Sequence, residues 1–104
     1  MLTSANTELM RVLADPLRLR IVTLLAHETL CASHIVAETG ARQTNISNHL
    51  KVLREANVVE TEPCGRFMYY KLHPEVLDAL ADMFGALADT ARTTIETNRK
   101  RACP

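Results

Sequence analysis

The segment 41–57, ARQTNISNHLKVLREAN, decides how the rest of the chain is read. Its second half is an amphipathic helix, because Ile46, Leu50 and Leu53 recur at the i, i+4, i+7 spacing that lines one helical face. Its first half crowds together Gln43, Thr44, Asn45, Ser47, Asn48 and His49, and several of these residue types favour caps and turns over helix interiors. On a helical wheel Thr44, Asn48 and Lys51 stand opposite the aliphatic stripe, with Gln43 and Ser47 flanking them. Such a helix has one face for a core and another that offers hydrogen bonds outward. Amides and hydroxyls suit base edges: Gln and Asn pair doubly with adenine, and Ser and Thr pair with several bases. Free amides at a helix start also hold phosphate. His49 lies beside the apolar stripe and is expected to pack or to touch a phosphate rather than bind a metal.

Working outward, ASHIVAET (32–39) makes a short helix stopped by Gly40 in the left-handed position. After the long helix, Asn57 takes a similar left-handed cap. VVETE (58–62) and FMYYKL (67–72) then read as strands around a PCGR turn, with Gly65 supplying positive φ. Arg66, at that turn, is placed to reach a DNA backbone or minor groove. Upstream, Asp15-Pro16 is a helix start, since Asp accepts from free amides and Pro fits the first position. The helix that follows puts Leu17, Ile21, Leu24 and Leu25 on one side and ends near His27. SANTELMRVL (4–13) forms a first helix capped by Ser4 or Asn6. A last helix begins at Pro74, carries Leu77, Leu80, Phe84, Leu87, Ala91 and Ile95 at spacings of three and four, and runs to about Thr97. NRKRACP (98–104) is a basic, flexible tail.

The order is four helices, a hairpin and a helix: a mainly α, α+β fold with a helix-turn-helix followed by a wing. Residues 1–97 are expected to form one DNA-binding and dimerisation domain. In a helix-turn-helix the second helix enters the major groove N-terminus first, which gives the crowded polar end of segment 43–51 its purpose.

The totals narrow the function further. Twelve basic and twelve acidic residues in 104 leave no net charge, so attraction to a polyanion depends on distribution. Residues 42–71 hold five basic residues (Arg42, Lys51, Arg54, Arg66, Lys71) against three acidic ones, whereas 75–89 hold four acids and no base. Apolar residues are 47% of the chain with no Trp, which suits a modest aliphatic core that gains from burial in a dimer. No apolar run reaches the roughly 18 residues of a membrane span, and the N-terminus lacks secretory-signal character. Three cysteines, at 31, 64 and 103, make no disulfide framework, so a cytoplasmic protein with free thiols is expected. The chain carries no Ser/His/Asp set, phosphate loop or paired catalytic carboxylates in a cleft-forming context, so no enzyme is expected.

Three stretches in order, LADPLRLRIVTLL (13–25), QTNISNHLKVLREANVV (43–59) and GRFMYYKL (65–72), resemble the second helix, recognition helix and wing of the ArsR/SmtB winged-helix repressors. The resemblance covers residues 8–97. It implies a homodimer formed by the first and last helices, with Leu9, Leu77, Leu80, Phe84, Leu87 and Ala91 at the interface. It also implies binding to double-stranded operator DNA carrying an inverted repeat, and release by a metal or metalloid. The DNA-facing set is then Arg42, Gln43, Thr44, Asn45, Ser47, Asn48, His49, Lys51 and Arg66. One departure is at the start of the recognition helix, where the family usually has Ser-Gln-Pro. Here Arg42 stands at the capping position and Thr44 replaces Pro, which would shift the helix start by one residue and make Thr44 the cap.

The sensing residues depart more. Where arsenite- and cadmium-type members carry Glu-Leu-Cys-Val-Cys-Asp-Leu, this chain has TLCASHI (29–35), keeping Cys31 but putting Ser33 and His34 in place of the second cysteine and the acid. One thiolate alone does not hold a soft ion such as arsenite or cadmium. Cys103, of the same or the other protomer, is the first candidate for a partner, with Cys64 and His34 as alternatives. The family's zinc site on the last helix is expected to be absent, because residues 75–97 have no His and Asp78 with Asp82 alone suit zinc poorly. His27 and His73 read as helix-end residues. Two other expectations stay open: a redox sensor working through Cys31, and a DNA-binding subunit that relies on a partner sensor protein.

Overall fold

A computed structural model describes residues 4–104 of the chain, apart from the side chain of Ser4. Helix α1 (Ser4–Leu13) already contains both Ser4 and Asn6, so Asn6 is not its cap. Helix α2 (Pro16–His27) starts as its sequence demands: the Asp15 carboxylate accepts from the amides of Leu17 at 2.9 Å and Arg18 at 3.0 Å, and Pro16 fills the first position. These bonds, that from the Arg18 amide foremost, hold the Asp15 carboxyl below its ordinary pKa.

A two-residue strand, β1 (Leu30–Cys31), comes next and was not expected. It pairs antiparallel with β3 (Phe67–Leu72), through Leu30 opposite Tyr70 and Cys31 opposite Tyr69. The wing is therefore one side of a three-stranded sheet in the order β1-β3-β2. Strand β2 (Val59–Cys64) runs two residues beyond the expected VVETE segment. Cys64 pairs with Phe67, so the turn is the two residues Gly65 and Arg66 alone, with Gly65 at φ 62°. Pro63 is tolerated inside β2 because β2 is an edge strand.

Helix α3 (Ala32–Thr39) ends on Gly40 at φ 71°, and α4 (Gln43–Glu55) follows after the short turn 40–42. The expected shift of the helix start is not seen. Arg42 is the N-cap, without a side-chain bond to the helix, and Thr44 lies one residue inside. Arg42 is extended at φ −69° and ψ 146°, and the main chain makes this start without needing a side-chain acceptor. Asn57 takes the left-handed conformation at φ 64° and turns the chain into β2, as its position predicts. Helix α5 (Pro74–Glu96) closes the chain, and residues 99–104 have no regular structure.

The core gathers one face from each of α1 to α5. Ile21, Ile35, Ile46, Leu50, Leu53, Val58 and Val59 are fully buried, with Leu9, Val12, Val22, Leu25, Leu30, Leu80 and Met83 around them. Two residues assigned to the dimer interface thus have their main burial inside the protomer: Leu9 is 9% exposed and Leu80 8%. The reason is that the first half of α5 lies back on the core while its second half projects. Every residue of α5 after Met83 is exposed, including Phe84 at 50%, Leu87 at 51% and Ile95 at 78%.

Candidate nucleic-acid interface

The turn between α3 and α4 is built from its own side chains. Thr39 Oγ1 donates to the Ile35 carbonyl at 2.7 Å and accepts from the Ala41 amide at 3.2 Å. From α2, Arg20 Nη2 donates to the Glu38 carbonyl at 2.8 Å and satisfies a carbonyl that the end of α3 leaves without a helical partner. The helix-turn-helix angle is thereby pinned by hydrogen bonds as well as by Ile35 and Ile46 packing in the core.

Helix α4 sits with Ile46, Leu50 and Leu53 buried and Arg42, Gln43, Thr44, Asn45, Ser47, Asn48 and Lys51 exposed. The amide- and hydroxyl-rich end therefore projects away from the protomer, as one continuous surface of donors and acceptors. Gln43 Nε2 lies 3.4 Å from Ser47 Oγ, a loose contact along this surface that a stronger partner would displace. Arg66, at the turn of the wing, is also exposed. Phe67 beside it is 58% exposed, an apolar group next to a cation, whereas its place in the FMYYKL run marks it only as a strand residue.

His49 departs from the outward set. It is half-buried, and its Nδ1 lies 3.2 Å from Nη1 of Arg18 on α2. Arg18 can only donate, so the contact requires the imidazole to accept at Nδ1.

Four candidate sensing residues are spread over three places. Cys31 is buried between β1 and α3, Cys64 is exposed at the end of β2, and Cys103 is exposed beyond α5. His34 accepts the Cys31 amide at Nδ1, 3.2 Å away, and meets the edge of the Tyr69 ring with centroids 5.8 Å apart. His34 is thus occupied in starting α3. Among the described residues, no group of three or more His, Cys, Asp or Glu is placed to hold a metal ion.

His73, read from the sequence as a mere helix end, is a junction. Its Nδ1 lies 2.8 Å from the Asn57 carbonyl and its Nε2 3.0 Å from Glu60 Oε2, while its amide donates to the Val58 carbonyl at 2.9 Å. It ties the end of α4, strand β2 and the start of α5. The Asn57 carbonyl first, and Glu60 second, raise its pKa above the ordinary histidine value. Glu60 is lowered in return, chiefly by the bond from His73.

The model of the bacterial regulatory proteins of the arsR family matches residues 15–61, from the cap of α2 into β2. The chain is 36% identical to the arsenical resistance operon repressor of Staphylococcus xylosus over 70 residues, which are 67% of each chain. The chain belongs to the ArsR family. It is also 36% identical over 80 residues to the arsenic resistance transcriptional regulator of Pseudomonas putida, covering 76% of this chain and 62% of that relative. It therefore spans about three fifths of the latter's length. In fold it is similar to the homodimeric winged helix-turn-helix DNA-binding domain of a possible ArsR-family regulator from Mycobacterium bovis. The TM-score is 0.64 at 24% identity, over 95% of this chain and 88% of that one. The family and the winged-helix architecture expected from the three sequence stretches both stand, and the family is one of DNA-binding regulators, not enzymes. No helix of the described residues is long and apolar enough to cross a membrane.

Proposed function

We propose that this ArsR-family chain is a sequence-specific repressor that binds operator DNA as a homodimer, reading base edges with α4 and touching the backbone or minor groove with the wing. The observation that carries this reading is the outward projection of Gln43, Thr44, Asn45, Ser47, Asn48 and Lys51 over a fully buried aliphatic stripe. The apolar residues exposed on the second half of α5, Phe84, Leu87 and Ile95, support a dimer formed through that helix. A two-fold axis would place two recognition helices on an inverted repeat, with half-sites about one helical turn or a small multiple apart. Such work places the protein in the cytoplasm, where bacterial DNA lies.

The inducer we propose is a soft metal or metalloid bound by Cys31 together with Cys103 of the other protomer. The names of the Staphylococcus and Pseudomonas relatives, both arsenic-resistance regulators, support this class of ligand. A second reading starts from Cys31 as a free thiol. In that reading the buried Cys31 thiol senses a peroxide or persulfide, and a chain without either response would depend on a partner sensor protein. Whichever ligand acts, it releases DNA only by preferring the conformation that fits successive grooves poorly.

A gel-shift on the DNA upstream of the chain's own coding region tests both levels. Wild type and the Cys31→Ser, Cys64→Ser and Cys103→Ser proteins are challenged with arsenite, cadmium, peroxide and persulfide. A metalloid response lost in both Cys31→Ser and Cys103→Ser supports the first reading. Loss of the peroxide response in Cys31→Ser alone supports the second. An unaltered response of Cys31→Ser to every agent contradicts both.

A further inference from the structure

We propose that Arg18 is a positioning residue that fixes the orientation of the recognition helix, acting through His49. The inference rests on the DNA-reading role of α4. Three elements meet at this one guanidinium. Its own amide is held by Asp15 at the start of α2. Its Nε donates at 2.6 Å to the carbonyl of Val12, among the last carbonyls of α1 that a helix end leaves without an intrahelical partner. Its Nη1 reaches His49 Nδ1 in the second turn of α4 at 3.2 Å. Both side chains are half-buried, which limits competition from water.

The physical need for such a clamp follows from how α4 is otherwise held. Ile46, Leu50 and Leu53 bury it by the hydrophobic effect, which is strong but non-directional, and a directional bond adds to what their packing fixes. Base readout requires side chains placed within about 0.5 Å. A planar guanidinium with two of its donors engaged is directional, and His49 stands at the border between the buried stripe and the outward face, where a rotation of α4 changes its distance from Arg18. The arrangement also links α1, through the Val12 carbonyl, to the reading surface. Lysine at position 18 would keep the charge but lose the fork.

The test uses the full chain with Arg18→Lys, His49→Leu, His49→Asn and the double Arg18→Lys/His49→Leu. The probes are short duplexes of random sequence and the duplex that wild type enriches from them. We expect Arg18→Lys and His49→Leu each to weaken binding to the enriched duplex about tenfold, with the double no weaker than Arg18→Lys alone, because the Arg18–His49 contact is lost in all three. Binding to the random pool, its salt dependence and the oligomeric state should stay as in wild type. His49→Asn, whose amide oxygen can stand where Nδ1 stood, should restore most of the discrimination. A salt slope smaller by about one, with equal losses on both probes, would make Arg18 a phosphate contact and overturn the proposal. Losses that multiply in the double would overturn it too. Amide exchange in the free protein gives a readout that needs no DNA. Exchange across residues 46–51 should rise in Arg18→Lys and His49→Leu while α2 keeps its protection, and unchanged exchange there refutes the clamp. If wild type enriches no duplex at all, the functional reading fails, and the exchange result still decides the inference.

Discussion

Asn48 and Arg66 carry the functional reading at the scale of single residues. Asn48 is exposed on the second turn of α4, opposite the buried stripe, and Arg66 tops the wing. If Asn48 pairs with a base, Asn48→Ala costs about 1–3 kcal/mol of discrimination at one operator position and leaves binding to random DNA unchanged. If Arg66 meets a phosphate or the minor groove, Arg66→Ala weakens all sequences alike and lowers the salt slope by about one. Titrations of both variants at several salt concentrations separate these outcomes, and sedimentation should show the oligomeric state unaltered. At this scale the sequence was informative wherever a helical wheel decides the direction of a side chain, which is why all of the polar cluster but His49 projects outward as expected. His49 and Arg18 are 31 positions apart, and nothing in a local pattern says that their tips meet.

Among the elements, the junction at His73 makes a pH-dependent claim. Both ring nitrogens face oxygen acceptors, the Asn57 carbonyl and the Glu60 carboxylate, so both bonds form only when the imidazole is protonated. His73 has a raised pKa, so its contribution to stability is complete below the ordinary value of 6.5 and is lost as pH rises through the raised one. Glu60 has a lowered pKa, so its contribution is complete above 4.5 and is lost as pH falls through the depressed value. The tie between α4, β2 and α5 is thus strongest between pH 4.5 and 6.5. Thermal melts of wild type and His73→Ala should differ most in that window and less at alkaline pH, where the neutral ring keeps one of the two bonds. Inside α4, Leu50→Ala should cost about 2–5 kcal/mol in urea unfolding, since Leu50 is 1% exposed in the middle of the core. The α elements were legible because period and caps agree at Asp15-Pro16, Gly40 and Asn57. Strand β1 was not, because two residues are too short for any alternation and the strand exists only through its pairing with β3.

For the molecule as a whole, α5 decides what the fold is for. Its first half completes the core and its second half has no cover in a single chain, which leaves Phe84, Leu87 and Ile95 in water. The sequence pattern gave one continuous apolar stripe and could not divide it, since core and interface positions share the same spacing of three and four. Burial in three dimensions makes the division, placing Leu80 and Met83 inside and Phe84 and Leu87 outside. If a second copy covers this half, Phe84→Glu with Leu87→Glu yields a folded monomer, visible by sedimentation. Its affinity for an inverted repeat should fall roughly 100-fold or more, because two half-sites no longer bind as one.

The most direct test of DNA reading by α4 follows the amide and side-chain NMR signals of the chain as the enriched duplex is added. Shifts should concentrate at residues 42–51 and at Gly65–Phe67, with the signals of Ile46 and Leu50 side chains little changed. Shifts confined to α5, or an unperturbed Thr44, Ser47 and Asn48 at saturating DNA, would contradict it.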